Sequence, residues 1–204
     1  MSVVHFAEGL SLAEYLQIEQ DMVKSVEEPT LFTWIVNPTV IYGRHQQAEV
    51  EINEDYCREH GIEIVQRKSG GGCVYADEGN LMISYVTPST HSEQVFADWI
   101  GEIAGKLRKK GLDAVTTAHI DILVDGRKVS GWACFTCPTG TIVHGTMLFD
   151  VNLEALEQAI TPTQQKLSKH GVQSVRQRVV NLRQLTDVFE DIHALRAYIE
   201  NEIN

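Results

Sequence analysis

The run from Arg67 to Asn80 carries the residue types in this chain that are best suited to chemistry, and it reads Arg-Lys-Ser-Gly-Gly-Gly-Cys-Val-Tyr-Ala-Asp-Glu-Gly-Asn. Three consecutive glycines allow positive φ angles and a close approach of backbone to ligand, because no Cβ stands in the way. Their successive N–H groups can form a nest that binds an anion, and Arg67 and Lys68 add positive charge beside it. The run therefore predicts an anion-binding turn, with a plain flexible hairpin tip as the alternative.

This glycine run differs from the common nucleotide motifs. It matches neither the G-x-G-x-x-G dinucleotide fingerprint nor the phosphate loop that ends in Gly-Lys-Ser or Gly-Lys-Thr. Apolar, strand-like segments flank it at residues 62–65 and 81–86. Because a strand and not a helix follows the glycines, a helix dipole is not the expected partner of the anion.

Composition indicates an ordinary globular protein. The chain has 204 residues, of which 43% are hydrophobic and 22% charged, so we expect one domain over residues 1–204 with a core of its own. No apolar stretch approaches the ~18 residues of a membrane span, and the N-terminus lacks the pattern of a signal peptide. Four cysteines suit a reduced compartment better than a disulfide framework. We therefore expect a cytoplasmic protein that does not bind membranes.

The charge distribution is uneven. A net charge of -11 argues against nucleic acid as a partner. No acidic residue occurs between Glu157 and Asp187, however, and this stretch contains the basic residues Lys166, Lys169, Arg176, Arg178 and Arg183. This basic strip indicates a local contact with an acidic partner or a nucleotide phosphate. A solvated helix face is an equally good interpretation.

The remaining sequence predicts the elements that must position these residues. Ser11 and Glu14 form a capping box for a helix over residues 11–27. Asp125-Gly126 is a strong hairpin signal between strands at 120–124 and 127–135. Further strands are predicted at 31–36, 40–42 and 141–149, and further helices at 53–61, 92–110, 152–160 and 188–203. Hairpins flanked by helices, without a regular βαβ alternation, predict an α+β fold with a largely antiparallel sheet.

Four segments in this order resemble the catalytic domain of the lipoate–protein ligase A family. They are Arg67–Asn80, Asp121–Ala133, His144–Leu148 and Gly171–Leu182, and the resemblance extends over residues 10–186. It implies a biotin/lipoate protein ligase-like fold, with a mixed, largely antiparallel sheet flanked by helices. It also implies an enzyme that activates lipoate with ATP to lipoyl-AMP and transfers the lipoyl group to a lysine of a lipoyl carrier domain.

The resemblance also assigns roles to residues of this chain. Lys128 is implied as the catalytic lysine that contacts the acyl carbonyl and the adenylate phosphate, and Asp121 as a residue near the nucleotide phosphates that holds Mg²⁺. For His144 we favour a structural role, because a lone histidine in a strand is more often a satisfied core residue. The implied substrate- and nucleotide-binding residues are Arg67, Ser69, Gly70, Gly71, Gly72, Val74, Tyr75, Asn80, Asp121, Lys128, Ser130, Gly131, Ala133, His144, Gly145 and Thr146.

The implied partners are lipoyl carrier proteins, namely the E2 subunits of 2-oxoacid dehydrogenases and the H protein of glycine cleavage. The sequence departs from the family pattern at Lys68, Cys73, Ala76 and Trp132. Many family members continue into a C-terminal accessory domain, whereas this sequence stops at Asn204. The expectation is a short form that uses a separate accessory subunit, acts alone, or retains only acyl transfer.

Other functions stay open on the sequence. One is an ATP-independent lipoyl or octanoyl transferase with Cys73 or Cys134 as nucleophile. Another is a non-catalytic lipoate-binding protein, which Ala76 and Trp132 suggest, whereas a biotin ligase is disfavoured by the missing Gly-Arg-Gly-Arg loop. The Cys134-x-x-Cys137 pair is interpreted as incidental thiols rather than half a zinc site or a redox pair, since no second such pair exists.

Overall fold

A computed structural model describes residues 1–117, 121–160 and 179–201. Ten strands lie within these residues: β1 Ser2–Val3, β2 Thr30–Trp34, β3 Thr39–Tyr42, β4 Glu63–Gln66, β5 Val74–Ala76, β6 Asn80–Thr87, β7 Ala114–Thr116, β8 Asp121–Val124, β9 Arg127–Cys137 and β10 Gly140–Leu148. The helices are α1 Leu12–Met22, α2 Ala48–Glu51, α3 Glu54–Glu59, α4 Ser92–Lys109, α5 Leu153–Ala159 and α6 Ile192–Asn201, with a 3₁₀ turn at Leu182–Gln184.

The strands form two sheets. The larger sheet has seven strands in the order β1-β2-β6-β10-β9-β8-β7, and the smaller has the order β4-β3-β5. The pairs β1–β2 and β3–β4 are parallel, and the other pairs are antiparallel. The expected α+β fold with a mixed, largely antiparallel sheet is therefore confirmed.

Local sequence signals explain how the central elements begin and turn. The Ser11 side chain accepts from the backbone N–H of Glu14, and the Glu14 carboxylate accepts from the N–H of Ser11, which is the predicted capping box. At the β8–β9 hairpin, Asp125 and Gly126 have φ angles of 50° and 73°. Both angles are positive, as the tight turn predicted there requires.

The seven-stranded sheet is covered on both faces. Helices α4 and α6 pack on one face, where the largest apolar cluster contains Trp99, Ile103 and Leu195. On the other face, Leu12 and Tyr15 of α1 pack against a cluster that includes Trp34. Among the described residues, no helix combines the length and apolar character that a bilayer crossing requires.

Several predicted boundaries differ from the observed ones. Helix α1 ends at Met22 and not at residue 27, and the last helix begins at Ile192 and not at residue 188. The short strands β1, β5 and β7 and the one-turn helix α2 were not predicted, because two to four residues carry too little periodicity to be recognised. Of these, β5 carries Val74, which lines the cavity described below.

Candidate active site

A cavity of about 230 Å³ lies where α1, both sheets and the glycine turn meet. Helix α1 contributes Leu12 and Leu16, and β3 of the smaller sheet contributes Ile41. Most of the predicted binding residues also line it: Arg67, Gly71, Gly72, Val74, Asp121, Lys128, Gly131, Ala133, His144, Gly145 and Thr146. One end of this wall is apolar and the other carries charge, as a site for an amphipathic acid requires.

Strand register explains how residues distant in sequence reach the same cavity. Residues directly opposite in an antiparallel sheet share a face. One such row across the sheet runs through Trp34, Met82, Thr146, Gly131 and Asp121, and all five line the cavity. The apolar members lie toward β2 and the carboxylate toward β8, so the cavity changes from apolar to polar along this row.

A parallel row lies two residues further along each strand. It contains Phe32, Ser84, His144 and Ala133 in register across β2, β6, β10 and β9. His144 and Ala133 line the cavity. The two rows together place two segments of the resemblance, Asp121–Ala133 and His144–Leu148, on one face of the sheet.

The buried Arg67 side chain holds the glycine turn from below. Its guanidinium donates to the carbonyl oxygens of Gly70 at 2.8 and 3.2 Å, of Gly72 at 2.7 Å and of Ile41 at 3.2 Å. Three carbonyls are thus fixed by one planar group, which a flexible ammonium cannot reproduce. Arg67 therefore shapes the turn, while the exposed backbone of Gly71 and Gly72 faces the cavity.

Two glycines allow the turn to adopt this shape. Gly71 has a φ of +92°, which disfavours any residue with a side chain. Beneath it, a Cβ on Gly43 would collide with the carbonyl oxygen of Gly71. The turn is therefore a built structure, and the alternative of an unconstrained hairpin tip does not describe it.

Lys128 and Asp121 form the charged end of the cavity. Lys128 Nζ lies 2.7 Å from Asp121 Oδ1, and the two side chains are 34% and 25% exposed. The lysine lies across Gly131, where an added Cβ would come within 2.8 Å of Nζ. Partial exposure leaves the ammonium able to meet a ligand in the cavity while the carboxylate orients it.

Glu19 is a buried residue of the site region that the sequence analysis missed. Its carboxylate lies 2.8 Å from His144 Nδ1 and accepts from Ser84 Oγ at 2.6 Å. A signal was present, because Leu12, Tyr15 and Glu19 fall at the spacing of one helix face and all three are buried. A glutamate on an apolar helix face indicates a buried polar partner elsewhere in the fold.

Five predicted site residues lie outside the cavity wall: Ser69, Gly70, Tyr75, Asn80 and Ser130. Ser69 bonds to His144 Nε2 at 2.7 Å. Tyr75 packs in the cluster between β3 and α5, where burial and the nearby Asp77 raise its pKa. Asn80 donates to the sulfur of Met82, which is itself part of the wall.

Part of the fourth segment and most of the basic strip fall outside the described residues. These are residues 171–178 of the segment, together with Lys166, Lys169, Arg176 and Arg178 of the strip. Arg183 is described and pairs with Asp150 at 3.1 Å. Val179 bridges to Lys128, and the N–H of Val180 donates to the Lys128 carbonyl at 2.9 Å. The end of the segment therefore adjoins the strand that carries the lysine.

Comparison with known proteins identifies the family. Residues 7–204 match the lipoyl protein ligase A/B catalytic domain. The chain belongs to this family. The lipoate-protein ligase LplJ of Bacillus subtilis is 35% identical over 178 residues, which cover 84% of this chain and 53% of LplJ. This chain thus spans about half the length of the curated ligases that it matches.

Solved structures of related proteins share the fold. A Thermoplasma acidophilum protein assigned as a lipoate protein ligase, with lipoic acid bound, superposes with a TM-score of 0.83 at 25% identity, covering 97% of this chain and 82% of that one. A bi-partite lipoate protein ligase of T. acidophilum, studied with its E2 lipoyl domain, gives 0.82 at 25% identity, covering 98% and 80%. A lipoate-protein ligase A bound with ATP gives 0.78 at 25% identity, covering 97% and 81%.

Within this lipoyl ligase family domain, Trp132 has a structural explanation. Its ring lies against Gly145 on the face that α4 covers, in the largest apolar cluster, and it is 6% exposed. An added Cβ on Gly145 would collide with the indole. Most of the bulk of Trp132 is therefore accommodated in the core, on the side of the sheet opposite to α1.

The cysteines of this family member do not form a metal centre in the described part of the chain, where no cluster of three or more metal-ligating His, Cys, Asp or Glu side chains occurs. Cys73 lines the cavity. Burial, with the nearby Glu51, raises the pKa of its thiol to about 12. Burial also raises the pKa of Cys134. Burial thus opposes formation of the nucleophilic thiolate at both positions, which weakens the cysteine-transferase alternative.

Proposed function

We propose that this chain is the catalytic domain of a lipoate–protein ligase, folded as a single domain over residues 1–204. It would activate lipoate with Mg-ATP, form lipoyl-AMP and pass the lipoyl group to a lysine of a lipoyl carrier domain, in the cytoplasm. The observation that carries the proposal is the ammonium of Lys128 in the same cavity wall as the glycine turn and an apolar end. The bound ligands of the related structures support lipoate and ATP as substrates.

The two ends of the cavity suit the two ends of lipoate. Burying about five methylenes at ~0.8 kcal/mol each supplies about 4 kcal/mol. That free energy corresponds to a dissociation constant of only about 1 mM. The apolar walls at Leu12, Leu16 and Trp34 therefore cannot supply tight binding alone. The carboxyl head must gain the rest from Lys128 and the N–H groups of the glycine turn.

Lys128 would stabilise negative charge as the acyl phosphate bond forms and later as the carrier amine attacks. A fixed cation beside the reacting oxygens acts without reorganisation, and such donors are worth about 10²–10³ in rate. The Asp121 carboxylate holds Nζ at 2.7 Å, so the ammonium is already oriented. A bound acyl tail against the apolar wall would help to exclude water from the mixed anhydride.

Asp121 offers one carboxylate to a Mg²⁺ that arrives with ATP. Magnesium typically takes one or two carboxylates and completes its octahedron with phosphate oxygens and water. A single protein carboxylate beside the charged end of the cavity fits that pattern. The pairing with Lys128 implies that binding of Mg-ATP would rearrange this ion pair.

A lipoyl carrier domain is the proposed acceptor, supplied by an E2 subunit or the glycine cleavage H protein. The E2 lipoyl domain studied with the bi-partite T. acidophilum ligase supports this class of partner. That relative also supports an accessory subunit for this chain, because its ligase is bi-partite. Assays should therefore test this protein both alone and together with a candidate accessory subunit.

Intact mass spectrometry of a purified lipoyl domain tests the proposal. The wild type with ATP and lipoate should add one lipoyl group and release pyrophosphate. Lys128→Ala should lose about 10²–10³ in rate, whereas Arg127→Ala, its exposed neighbour, should not. Lipoyl transfer from a carrier-bound donor without ATP would instead establish a transferase. Lipoate binding without any adenylate, even with accessory protein present, would establish a binding protein.

A further inference from the structure

A chain of hydrogen bonds crosses the cavity region from Trp34 to Ser69. Trp34 Nε1 donates to Ser84 Oγ at 2.8 Å, and Ser84 Oγ donates to Glu19 Oε1 at 2.6 Å. The other oxygen of Glu19 lies 2.8 Å from His144 Nδ1, and His144 Nε2 lies 2.7 Å from Ser69 Oγ. All five residues are buried, and Trp34 and His144 also line the cavity.

The groups joined by this hydrogen-bond chain determine which of them can donate. A carboxylate only accepts, so an ionised Glu19 accepts hydrogen bonds from the Ser84 hydroxyl and from His144 Nδ1–H. In the His144 tautomer with Nδ1–H, Nε2 is an acceptor and the Ser69 hydroxyl donates to it. Removing one member therefore leaves buried neighbours without their partner.

The same bonds have the order of a hydrolase triad, serine to histidine to carboxylate, but they do not make Ser69 a nucleophile. Ser69 is 2% exposed and is not part of the cavity wall. A nucleophile must touch the reacting carbonyl. The geometry instead suits a group that holds other groups in place.

The two ends of this hydrogen-bond chain lie at different parts of the cavity. Trp34 belongs to the apolar end, and Glu19 lies on α1 one turn beyond Leu16, which also lines that end. Ser69 immediately precedes the glycines, and its carbonyl accepts from the N–H of Arg44 at 3.1 Å. The hydrogen-bond chain thus joins the apolar wall, which we propose binds the acyl tail, to the glycine turn, which we propose binds the carboxyl head.

We infer that Glu19 is a positioning residue that acts through His144 and Ser69, and that it couples filling of the acyl-tail wall to the geometry of the glycine turn. This inference rests on the proposed function. A tail that fills the space beside Trp34 and Leu16 holds α1 and the Glu19 carboxylate in place, and so holds Ser69. Binding energy from the unreactive tail is then used to orient the head, which raises kcat as well as lowering KM.

The test is pyrophosphate release with lipoate, octanoate, hexanoate and butanoate as acids. In the wild type, kcat falls as the tail shortens. In Glu19→Gln and Ser69→Ala, kcat for lipoate falls by about 10- to 100-fold, as a misplaced reacting group predicts. In these variants kcat no longer depends on tail length, while KM still rises for shorter acids.

Glu200→Gln is the matched control. Glu200 is a half-buried carboxylate, 12% exposed, and it accepts from Thr33 and Arg196 and is not part of the cavity wall. It should keep the dependence of kcat on tail length. If Glu19→Gln fails to fold by circular dichroism, Ser69→Ala and Ser84→Ala, which remove only hydroxyls, decide the test.

Two results would overturn the coupling. One is a wild-type kcat that is the same for all four acids. The other is a kcat that falls in the variants by the same factor for every acid, as expected if Glu19 and Ser69 have only a structural role. If the wild type forms no adenylate with any acid, the proposed function fails and the coupling falls with it.

Discussion

Arg67 illustrates how burial changes the role of a charged side chain. Beside three glycines in the sequence it is expected to hold an anion, yet its guanidinium donates to the carbonyls of Ile41, Gly70 and Gly72. Those carbonyls point toward the guanidinium, so its donors are used within the turn and on β3. The positive charge remains in the cavity wall, so the residue shapes the turn and contributes charge to the site.

Arg67→Lys keeps the charge but loses the planar fork. We expect lipoyl-AMP formation to fall by about 10- to 100-fold, because a lysine cannot hold three carbonyls and the turn shifts relative to Lys128. The reciprocal change Lys68→Arg, at the exposed neighbouring position, should leave the rate within a factor of about two, as expected for a surface substitution. Pyrophosphate release measures both. Equal rates for Arg67→Lys and the wild type would mean that the charge alone suffices.

The cysteines should differ in reactivity according to their surroundings. Partial burial opposes ionisation of Cys137, but hydrogen bonds from Thr139 and the N–H of Gly140 outweigh it and lower the pKa of its thiol. Cys73 is held protonated, with its pKa raised to about 12. Iodoacetamide at pH 8 should therefore label Cys137 well before Cys73, since the thiolate is the reactive form. Peptide mass spectrometry over time measures the order, and rapid labelling of Cys73 would restore the transferase alternative.

At the scale of elements, the structure confirms those predictions that depend on local chemistry. The Ser11–Glu14 capping box and the Asp125–Gly126 hairpin each depend on residues within three positions of one another. The start of the last helix is different. The apolar residues Val188 and Phe189 extend the helical pattern, but Phe189 instead packs into the core and the helix begins at Ile192. A local signal also marks this start, because Asp191 Oδ1 accepts from the N–H of Ala194 at 2.8 Å and so caps the helix.

The contact between β9 and β10 predicts the effect of filling Gly145. Gly145→Ala would place a methyl group against the Trp132 ring, and overpacking of this kind costs about 1–3 kcal/mol of unfolding free energy. Trp132→Leu in the same chain should recover part of that loss by making room. Urea denaturation of the two single variants and the double variant measures the coupling. Additive effects would show that the indole and the glycine do not constrain each other.

Asp77 links the β5–β6 turn to helix α5, and its pKa gives that link a pH dependence. Its carboxylate accepts from the N–H of Gly79 and of Asn152, each at 2.9 Å. Burial outweighs these bonds and raises the pKa of Asp77 above its ordinary value. A group with a raised pKa in the folded state stabilises fully below its unfolded pKa, and that contribution is lost as pH rises through the folded pKa.

Asp77→Asn removes this titration. The unfolding free energy of the wild type minus that of Asp77→Asn should fall between pH 4 and pH 7, by about 1.4 kcal/mol for each pH unit between the folded and unfolded pKa values. Urea denaturation at four pH values in that range measures this difference in unfolding free energy. Groups other than Asp77 titrate in both proteins, so their contributions cancel. If the unfolding free energy of the wild type minus that of Asp77→Asn rises with pH, the hydrogen bonds from Gly79 and Asn152 have a larger effect on the pKa of Asp77 than burial has.

At the scale of the whole molecule, the site depends on contacts that no short stretch of sequence encodes. Glu19 and His144 are 125 positions apart, and Ser69 and His144 are 75 apart. The motifs identified His144 and Ser69 separately but not the carboxylate that joins them. The cavity also needs apolar walls from α1 and β2, whose residues are ordinary core types that no motif distinguishes. Family resemblance therefore located the charged end of the site, and only the fold located the apolar end.

Charge on the whole molecule leads to a last prediction, which concerns residues outside those the structure describes. The chain has a net charge of -11, yet Lys166 and Lys169 begin a stretch without acidic residues up to Asp187. If this strip meets an acidic carrier domain or ATP, Lys166→Glu with Lys169→Glu should raise the apparent KM for one of them by about tenfold at low salt. The effect should shrink at high salt, where exposed charges are screened.

Lys24→Glu with Arg58→Glu is the matched control, because it makes the same change in net charge at two exposed residues of the described part of the chain, each paired with a nearby aspartate. If the KM values rise equally in both double variants, the cause is general repulsion between acidic proteins and not a docking surface. A rise confined to the carrier KM of the Lys166 and Lys169 variant assigns the strip to the carrier, and a rise confined to the ATP KM assigns it to the nucleotide. Unchanged values for both substrates would leave the strip as a solvated face, since like charges placed in a real contact must weaken it.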